Sequence, residues 1–339
     1  MNLRDQLLQA AKRAGEVLEE AAAKRRILED GYTRIDPIAI AEGDGVPVMV
    51  RPLEKLLGAF LKEEESPGIL VNSQRPIGMV HLTCAHELGH FFLGHGTKTD
   101  EDLDYGNTAS PEERAANEFA YKLLMPKWLV AHMMRRKGWG RGHLQQAGVV
   151  YQLSLRLGVS YAAMVWSLNN LALLDAGSAQ AMSRISPKSL KEASPGGLAA
   201  PQGGDVWVLD PSDQDCIIEP RASDRFVVEL PNHASAGYVW TAEEASAAGF
   251  TIRPVLIDAS AVARPSVPVM VGGAPNSAYL LEPSAGAMNT DAVLPVQLAE
   301  RQPWVSGEAR DRFALRAQYE TLSEGLSRGT RRRLVEGAA

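Results

Sequence analysis

The run Cys84-Ala85-His86-Glu87-Leu88-Gly89-His90-Phe91-Phe92-Leu93-Gly94-His95 constrains this chain more than any other stretch, because it sets H-E-x-x-H in an apolar, helix-compatible background. On a helix, side chains four positions apart share a face, so His86 and His90 can offer two imidazole nitrogens to one metal ion. Glu87 points too far round the helix to be the natural third ligand, but it can reach a water at the metal and take its proton, as a general base.

A zinc site that keeps one position open for water needs a third protein ligand. His95 has the wrong spacing for the pattern that uses a third histidine, since Gly94 and His95 fall four and five residues after His90 instead of three and six. A second helix is the better source. Ser110 is placed to cap it, Pro111 to begin it, and Glu112 and Glu113 fill a first turn where the helix dipole favours negative charge. Glu113 is the expected ligand, and Asn117, one turn further along the same face, can hold the outer nitrogen of His86 or His90. Glu112 and Glu118 face elsewhere. His81, His132 and His143 have no spacing partner and read as core or surface histidines, and Cys84 reads as a small buried side chain.

With 339 residues, 45% of them hydrophobic, the chain can bury two cores. Its net charge of -6 argues against direct nucleic-acid binding. Cys84 and Cys216 fall in different expected domains, so no disulfide framework is expected and the cytoplasm fits best. Neither an export signal nor a membrane-spanning apolar segment is read in the sequence.

Apolar residues recur at helical spacing from Leu3 to Leu28, predicting one amphipathic helix. Asp36-Pro37 opens a short helix, residues 46–50, 58–61 and 68–71 read as strands, and the motif helix is expected over 81–94. Residues 97–110 read as a polar surface loop, and stretches within 128–174 as a helical bundle. Leu153 to Ser160 has the outline of a helix-turn-helix, but the scarcity of basic residues after Tyr161 favours a packing role. Composition turns to Ser, Pro, Gly and Ala around 191–203, predicting a linker between a first domain (1–190) and a second (204–320). Beyond Asp205 the period becomes twofold over short runs, from Val206-Trp207-Val208-Leu209 to Phe313–Tyr319, with others at 251–257 and 267–271 between. This predicts an all-β, immunoglobulin-like sandwich, followed by a frayed tail over 321–339.

The blocks Asp36-Pro37-Ile38-Ala39-Ile40-Ala41, Gly68-Ile69-Leu70-Val71-Asn72, Ala85–His90, and Glu113-Arg114-Ala115-Ala116-Asn117-Glu118-Phe119-Ala120 with Leu123-Leu124-Met125-Pro126, in that order, resemble the ImmA/IrrE family of metallopeptidases over about residues 20–185. The resemblance implies an α+β, zincin-like metallopeptidase domain carrying a helical bundle, with Zn2+ held by His86, His90 and Glu113 and Glu87 as catalytic base. It also implies a protein substrate of the helix-turn-helix repressor class, whose cleavage relieves repression of phage, mobile-element or stress genes.

In the second domain, Leu230–Trp240, Gly272-Gly273-Ala274-Pro275 and Glu300-Arg301-Gln302-Pro303-Trp304 resemble the three loop signatures of the chagasin family of papain-like cysteine peptidase inhibitors. The chain departs from that family where Pro231-Asn232 is followed by His233, Ala234, Ser235 and Ala236, and where Gln302 separates Arg301 from Pro303. Asn232, Gly237, Tyr238, Gly272, Gly273, Arg301 and Trp304 are therefore the expected protein-binding residues, gathered at one end of the sandwich. The expectation is a zinc endopeptidase with an attached protein-binding domain. The alternative is a binding protein whose metal site is structural and whose β-domain engages a cysteine peptidase.

Overall fold

The structure, a computed structural model, describes residues 2–62, 67–96, 98–100, 110–194, 203–242, 249–255, 276–283 and 292–337. The N-terminal part begins with α1 (Leu3–Glu20) and α2 (Ala23–Leu28), followed by α3 (Pro37–Gly43). The single helix expected over 3–28 is broken at Ala22, which takes the left-handed conformation at φ 50. An alanine there carries no turn signature that a sequence could show. α3 starts where the sequence predicts, with the Asp36 carboxylate accepting from the Ile38 and Ala39 amides.

Strands β1 (Val48–Arg51), β2 (Gly58–Leu61) and β3 (Gly68–Asn72) precede α4 (Ile77–Phe92), which packs on β2 and β3. α4 begins a turn before the predicted Val80–His81 boundary, directly after Pro76. Within the expected 97–110 loop, residues 98–100 form β4 (Lys98–Asp100), hydrogen-bonded to β2. Then come α5 (Pro111–Leu124), α6 (Lys127–Arg136), α7 (Ala147–Arg156), α8 (Tyr161–Asn170), α9 (Ala176–Ser183) and α10 (Pro187–Glu192). The last of these ends inside the expected 191–203 linker, where Ser186 caps it and Pro187 opens it.

The C-terminal part contains β5 (Val206–Leu209), β6 (Ile217–Ile218), β7 (Arg225–Pro231), β8 (Val239–Thr241), β9 (Phe250–Val255), β10 (Asn276–Pro283), β11 (Leu294–Arg301) and β12 (Asp311–Ala317). They form two four-stranded sheets, ordered β5-β7-β10-β9 and β6-β12-β11-β8. Trp207, Phe226, Phe250 and Leu281 from one sheet share an apolar core with Val296, Leu298, Phe313 and Leu315 from the other. The strand expected at 267–271 and the loop 272–275 lie outside the described residues.

The tail is not frayed where it is described. β13 (Gly325–Leu326) pairs antiparallel with β1, completing a sheet of order β13-β1-β3-β2-β4, and α11 (Arg328–Gly337) follows. Glu42 of α3 anchors that turn, accepting from the Thr330 amide at 3.0 Å and from the Ser327 hydroxyl. Arg331, Arg332 and Arg333 are exposed, but on a helix whose start is fixed by a distant carboxylate.

Buried ion pairs hold the β part against the helices. Arg156, fully buried, donates to both oxygens of Asp213 at 3.0 and 2.9 Å and to the Val208 carbonyl at 2.8 Å, while Lys137 reaches Asp213 at 2.8 Å. A second cluster joins Arg34 to Glu219 at 3.0 Å and to Glu320 at 3.2 Å, and His81 of α4 to Glu320 at 2.7 Å. Burial pushes the Glu320 carboxyl up, but Arg34 and then His81 overcome it and bring it down to about 2.

Candidate metal centre

α4 and α5 cross where Gly89 meets Ala116: a Cβ on Gly89 would lie 3.0 Å from the Ala116 Cα. Gly89 lies between His86 and His90, so close approach of the two backbones brings Glu113, one turn before Ala116, up to both imidazoles. The start of α5 is fixed by Ser110, whose hydroxyl accepts from the Glu113 amide at 3.2 Å.

The Glu113 Oε2 lies 3.2 Å from His86 Nε2 and 3.5 Å from His90 Nε2, and the two Nε2 atoms are 3.1 Å apart. Ligands about 2.1 Å from a tetrahedral ion stand about 3.4 Å from each other, so the donor set fits zinc in both chemistry and spacing. Among the described residues, this is the group of three side chains whose ligand atoms converge within 4.8 Å. Hydrogen bonds with His86, then with His90, hold the Glu113 carboxyl well below the usual carboxylate range against the opposing effect of burial.

The outer nitrogens are occupied. His86 Nδ1 lies 3.0 Å from Asn117 Oδ1, and because an amide oxygen only accepts, that nitrogen carries the proton and Nε2 keeps its lone pair for a metal. His90 Nδ1 lies 2.9 Å from His95 Nδ1. His95 is thus no member of the donor triad but stands behind one, a role that its spacing from the motif did not reveal. Glu87 is fully buried on the sheet side of α4, where a Cβ on Gly58 of β2 would come within 3.0 Å of its Oε1. Gly58 leaves room for that carboxylate, and no local sequence signal marks it. Cys84 is fully buried; burial, with Asp36, Glu87 and Glu42 nearby, pushes its thiol well up, so it is chemically quiet. His81 is tied to the Gly158 carbonyl at 2.7 Å and to Glu320, away from the triad.

At the other expected site, Gly237 (φ 81) packs against Trp304, and a Cβ there would lie 2.6 Å from the ring. Gln302 donates to the Ala236 carbonyl at 3.1 Å, joining the loops that carry Asn232 and Trp304. Below them His233 bonds to both oxygens of the buried Glu300 at 2.9 and 3.0 Å, and Arg310 stacks 4.9 Å over Tyr238. Trp304 is 70% exposed. Arg301 closes β11 opposite Val239. Gly272 and Gly273 lie outside the described residues, so the structure places the first and third loops together and leaves the second undescribed.

Two histidines and a carboxylate converging from crossing helices, with a glutamate beside the first histidine, are the donor arrangement that H-E-x-x-H metal sites use. Residues 41–169 match the family model Peptidase_M78, described as an IrrE N-terminal-like domain. No curated protein matches the chain. Among solved structures, the cysteine protease inhibitor EhICP2 from Entamoeba histolytica is similar at 14% identity, covering 34% of this chain and 97% of its own, with a TM-score of 0.25. The solution structure of Amebosin is similar at 16% identity, covering 33% of this chain and 96% of its own, with a TM-score of 0.24. No helix among the described residues is long and apolar enough to cross a membrane.

Proposed function

We propose that this chain is a zinc-dependent endopeptidase acting in the cytoplasm on a protein substrate of the helix-turn-helix repressor class. The observation that supports it most is the convergence of His86 Nε2, His90 Nε2 and Glu113 Oε2 at 3.1 to 3.5 Å from one another beside Glu87. Bound zinc would supply a Lewis acid for the scissile carbonyl and acidify a water. His86, His90 and Glu113 would hold the ion, Asn117 and His95 would orient the two imidazoles, and Glu87 would take a proton from the water nucleophile and pass it to the leaving amine. Both thiols, Cys84 and Cys216, are free and buried, which suits a reducing compartment. The substrate assignment rests on the ImmA/IrrE resemblance. It is tested by mixing the zinc-loaded protein with a helix-turn-helix repressor encoded beside it. Cleavage that stops with a chelator and returns with zinc supports the reading, and an intact repressor under zinc-bound conditions counts against that partner.

The β part, read as an immunoglobulin-like sandwich, is proposed to bind protein through the joined loops around Asn232 to Tyr238 and Arg301 to Trp304. The exposed Trp304 ring, braced on Gly237, supports this. A papain-like cysteine peptidase is the partner implied by the loop signatures. Titration of the full chain against such an enzyme tests it: saturable binding or inhibition supports the assignment, and no effect at micromolar protein removes it.

A further inference from the structure

A groove of about 750 Å³ lies between α4, α5 and α8, walled by Met79, Leu82, Tyr121 and Trp166. Its volume falls within the range of ligand-binding clefts, roughly 300–1,000 Å³. Trp166 is 40% exposed, a large aromatic left open to solvent on an otherwise well-packed helix. Burial pushes the Tyr121 phenol up to about 12, so it stands in the wall as a neutral ring. Among the polar groups of the groove, Arg114 is half-buried and makes no ion pair with the described residues, while Glu118, one turn further along α5, is engaged by Lys122 at 3.4 Å. A guanidinium held partly out of water without an anion favours one, because a carboxylate can meet it with charge-assisted hydrogen bonds. None of His86, Glu87, His90 and Glu113 lines the groove. Its link to the metal centre is Asn117, whose Oδ1 lies 3.0 Å from Nδ1 of His86, the ring nitrogen opposite the metal-facing Nε2. An occupant therefore sits behind the imidazole, away from the reacting bond, against the side chain that fixes the tautomer and orientation of a metal ligand.

We infer that this groove is a regulatory site for a small carboxylic acid with an aromatic or branched apolar body, whose occupancy is read at the metal through Asn117 and His86. The apolar body packs among Met79, Leu82, Tyr121 and Trp166, and the carboxylate meets Arg114. Packing that body against Asn117 in place of solvent restrains the amide that holds His86, and the affinity for zinc changes with it. The effect is reciprocal: the factor by which the occupant changes zinc binding is the factor by which zinc changes the occupant's binding. The coupling rests on the metal-centre reading, whereas the site itself does not.

The test uses full-length protein, zinc-loaded and chelator-treated, with three probes: 4-phenylbutyrate, 4-phenylbutan-1-ol, which lacks the charge, and butyrate, which lacks the ring. In calorimetric titrations 4-phenylbutyrate should bind both forms at one equivalent, about tenfold more tightly than the alcohol. Butyrate should not saturate at the same concentrations, which separates the groove from simple ligation of zinc. Arg114→Gln should bring the preference for the acid under about threefold. Ala162→Trp, which fills the groove from an exposed position without opening the core, should remove binding. In a chelator competition, saturating 4-phenylbutyrate should shift the zinc affinity of the wild type by about fivefold or more. In Asn117→Ala the compound should still bind but leave zinc affinity where it stands. No saturable binding, or binding that survives Ala162→Trp, overturns the site, and a preference for the acid that survives Arg114→Gln overturns its assignment to carboxylates. Saturable binding with unchanged zinc affinity in the wild type overturns the coupling. A wild type that holds no zinc strikes the metal-centre reading instead, and titration of the chelator-treated protein then decides the site by itself.

Discussion

At the candidate metal centre the two imidazoles and Glu87 come from the C-terminal half of one helix and are exposed by 1% or less, whereas at the loop end of the β part Trp304 stands 70% exposed on a turn. The first site is positioned by elements whose own packing is rigid: Gly89 against Ala116, Gly58 against Glu87, Asn117 and His95 behind the imidazoles. The second is positioned by two loops holding each other, with the buried Glu300 as their common footing. A site of the first kind should respond to substitution almost all-or-none, because among the described residues His86, His90 and Glu113 are the group whose ligand atoms converge. A site of the second kind should respond by degrees, as interfaces do.

The largest effect expected is at Glu113. Glu113→Ala should abolish stoichiometric zinc binding, and with it any cleavage, while the fold survives; full zinc occupancy in the variant, measured by elemental analysis after dialysis, would erase the contrast between the two sites. Next comes the joint between the parts. Asp213→Ala leaves Arg156 buried without its anion, while Lys137 keeps Asp210 at 2.7 Å, and should cost about 3–5 kcal/mol in denaturant unfolding. Burial raises the Asp213 pKa, but Arg156 and Lys137 overcome it and bring it from 3.8 to about 2. The stabilisation is therefore complete above the unfolded value and lost as pH falls toward 2, with Glu320 acting in the same direction. The wild type should lose stability steeply across that acid window, and Asp213→Ala less so. Equal acid sensitivity in the two proteins would contradict it.

A smaller loss is expected behind the imidazoles. His95→Ala and Asn117→Ala should each weaken zinc about 10–100-fold in a chelator competition while leaving the stoichiometry at one. An unchanged affinity in His95→Ala would show that the 2.9 Å contact to His90 does not orient the ring. The smallest is at the exposed loops, where Trp304→Ala should weaken binding of a papain-like peptidase by about 2 kcal/mol, roughly thirtyfold, without touching zinc affinity. If that substitution altered zinc binding, the two sites would be coupled.

The parts of this architecture that local chemistry dictates were readable from residues alone. H-E-x-x-H spacing, the Ser110-Pro111 helix start and the twofold alternation after Asp205 each depend on neighbours within a turn or a strand. What escaped the sequence depends on partners far along the chain. Arg156 looks like one more charge on an amphipathic helix until Asp213 arrives from the β part. Residues 325–326 look like a tail because the vacant edge they fill belongs to β1. Gly58, and the place of His95 behind His90, carry no local signal for the same reason: they are defined by Glu87 and His90, reached through a strand-to-helix contact and a turn.

The account's central claim is that Glu87 does chemistry at a metal it does not itself hold. Glu87→Gln removes the basic oxygen while keeping the side chain's size against Gly58, so zinc content and cleavage rate should be measured on the same preparation. The account predicts one equivalent of zinc, as in the wild type, with cleavage reduced by about 10²–10⁴. Cleavage at the wild-type rate with zinc bound would contradict it.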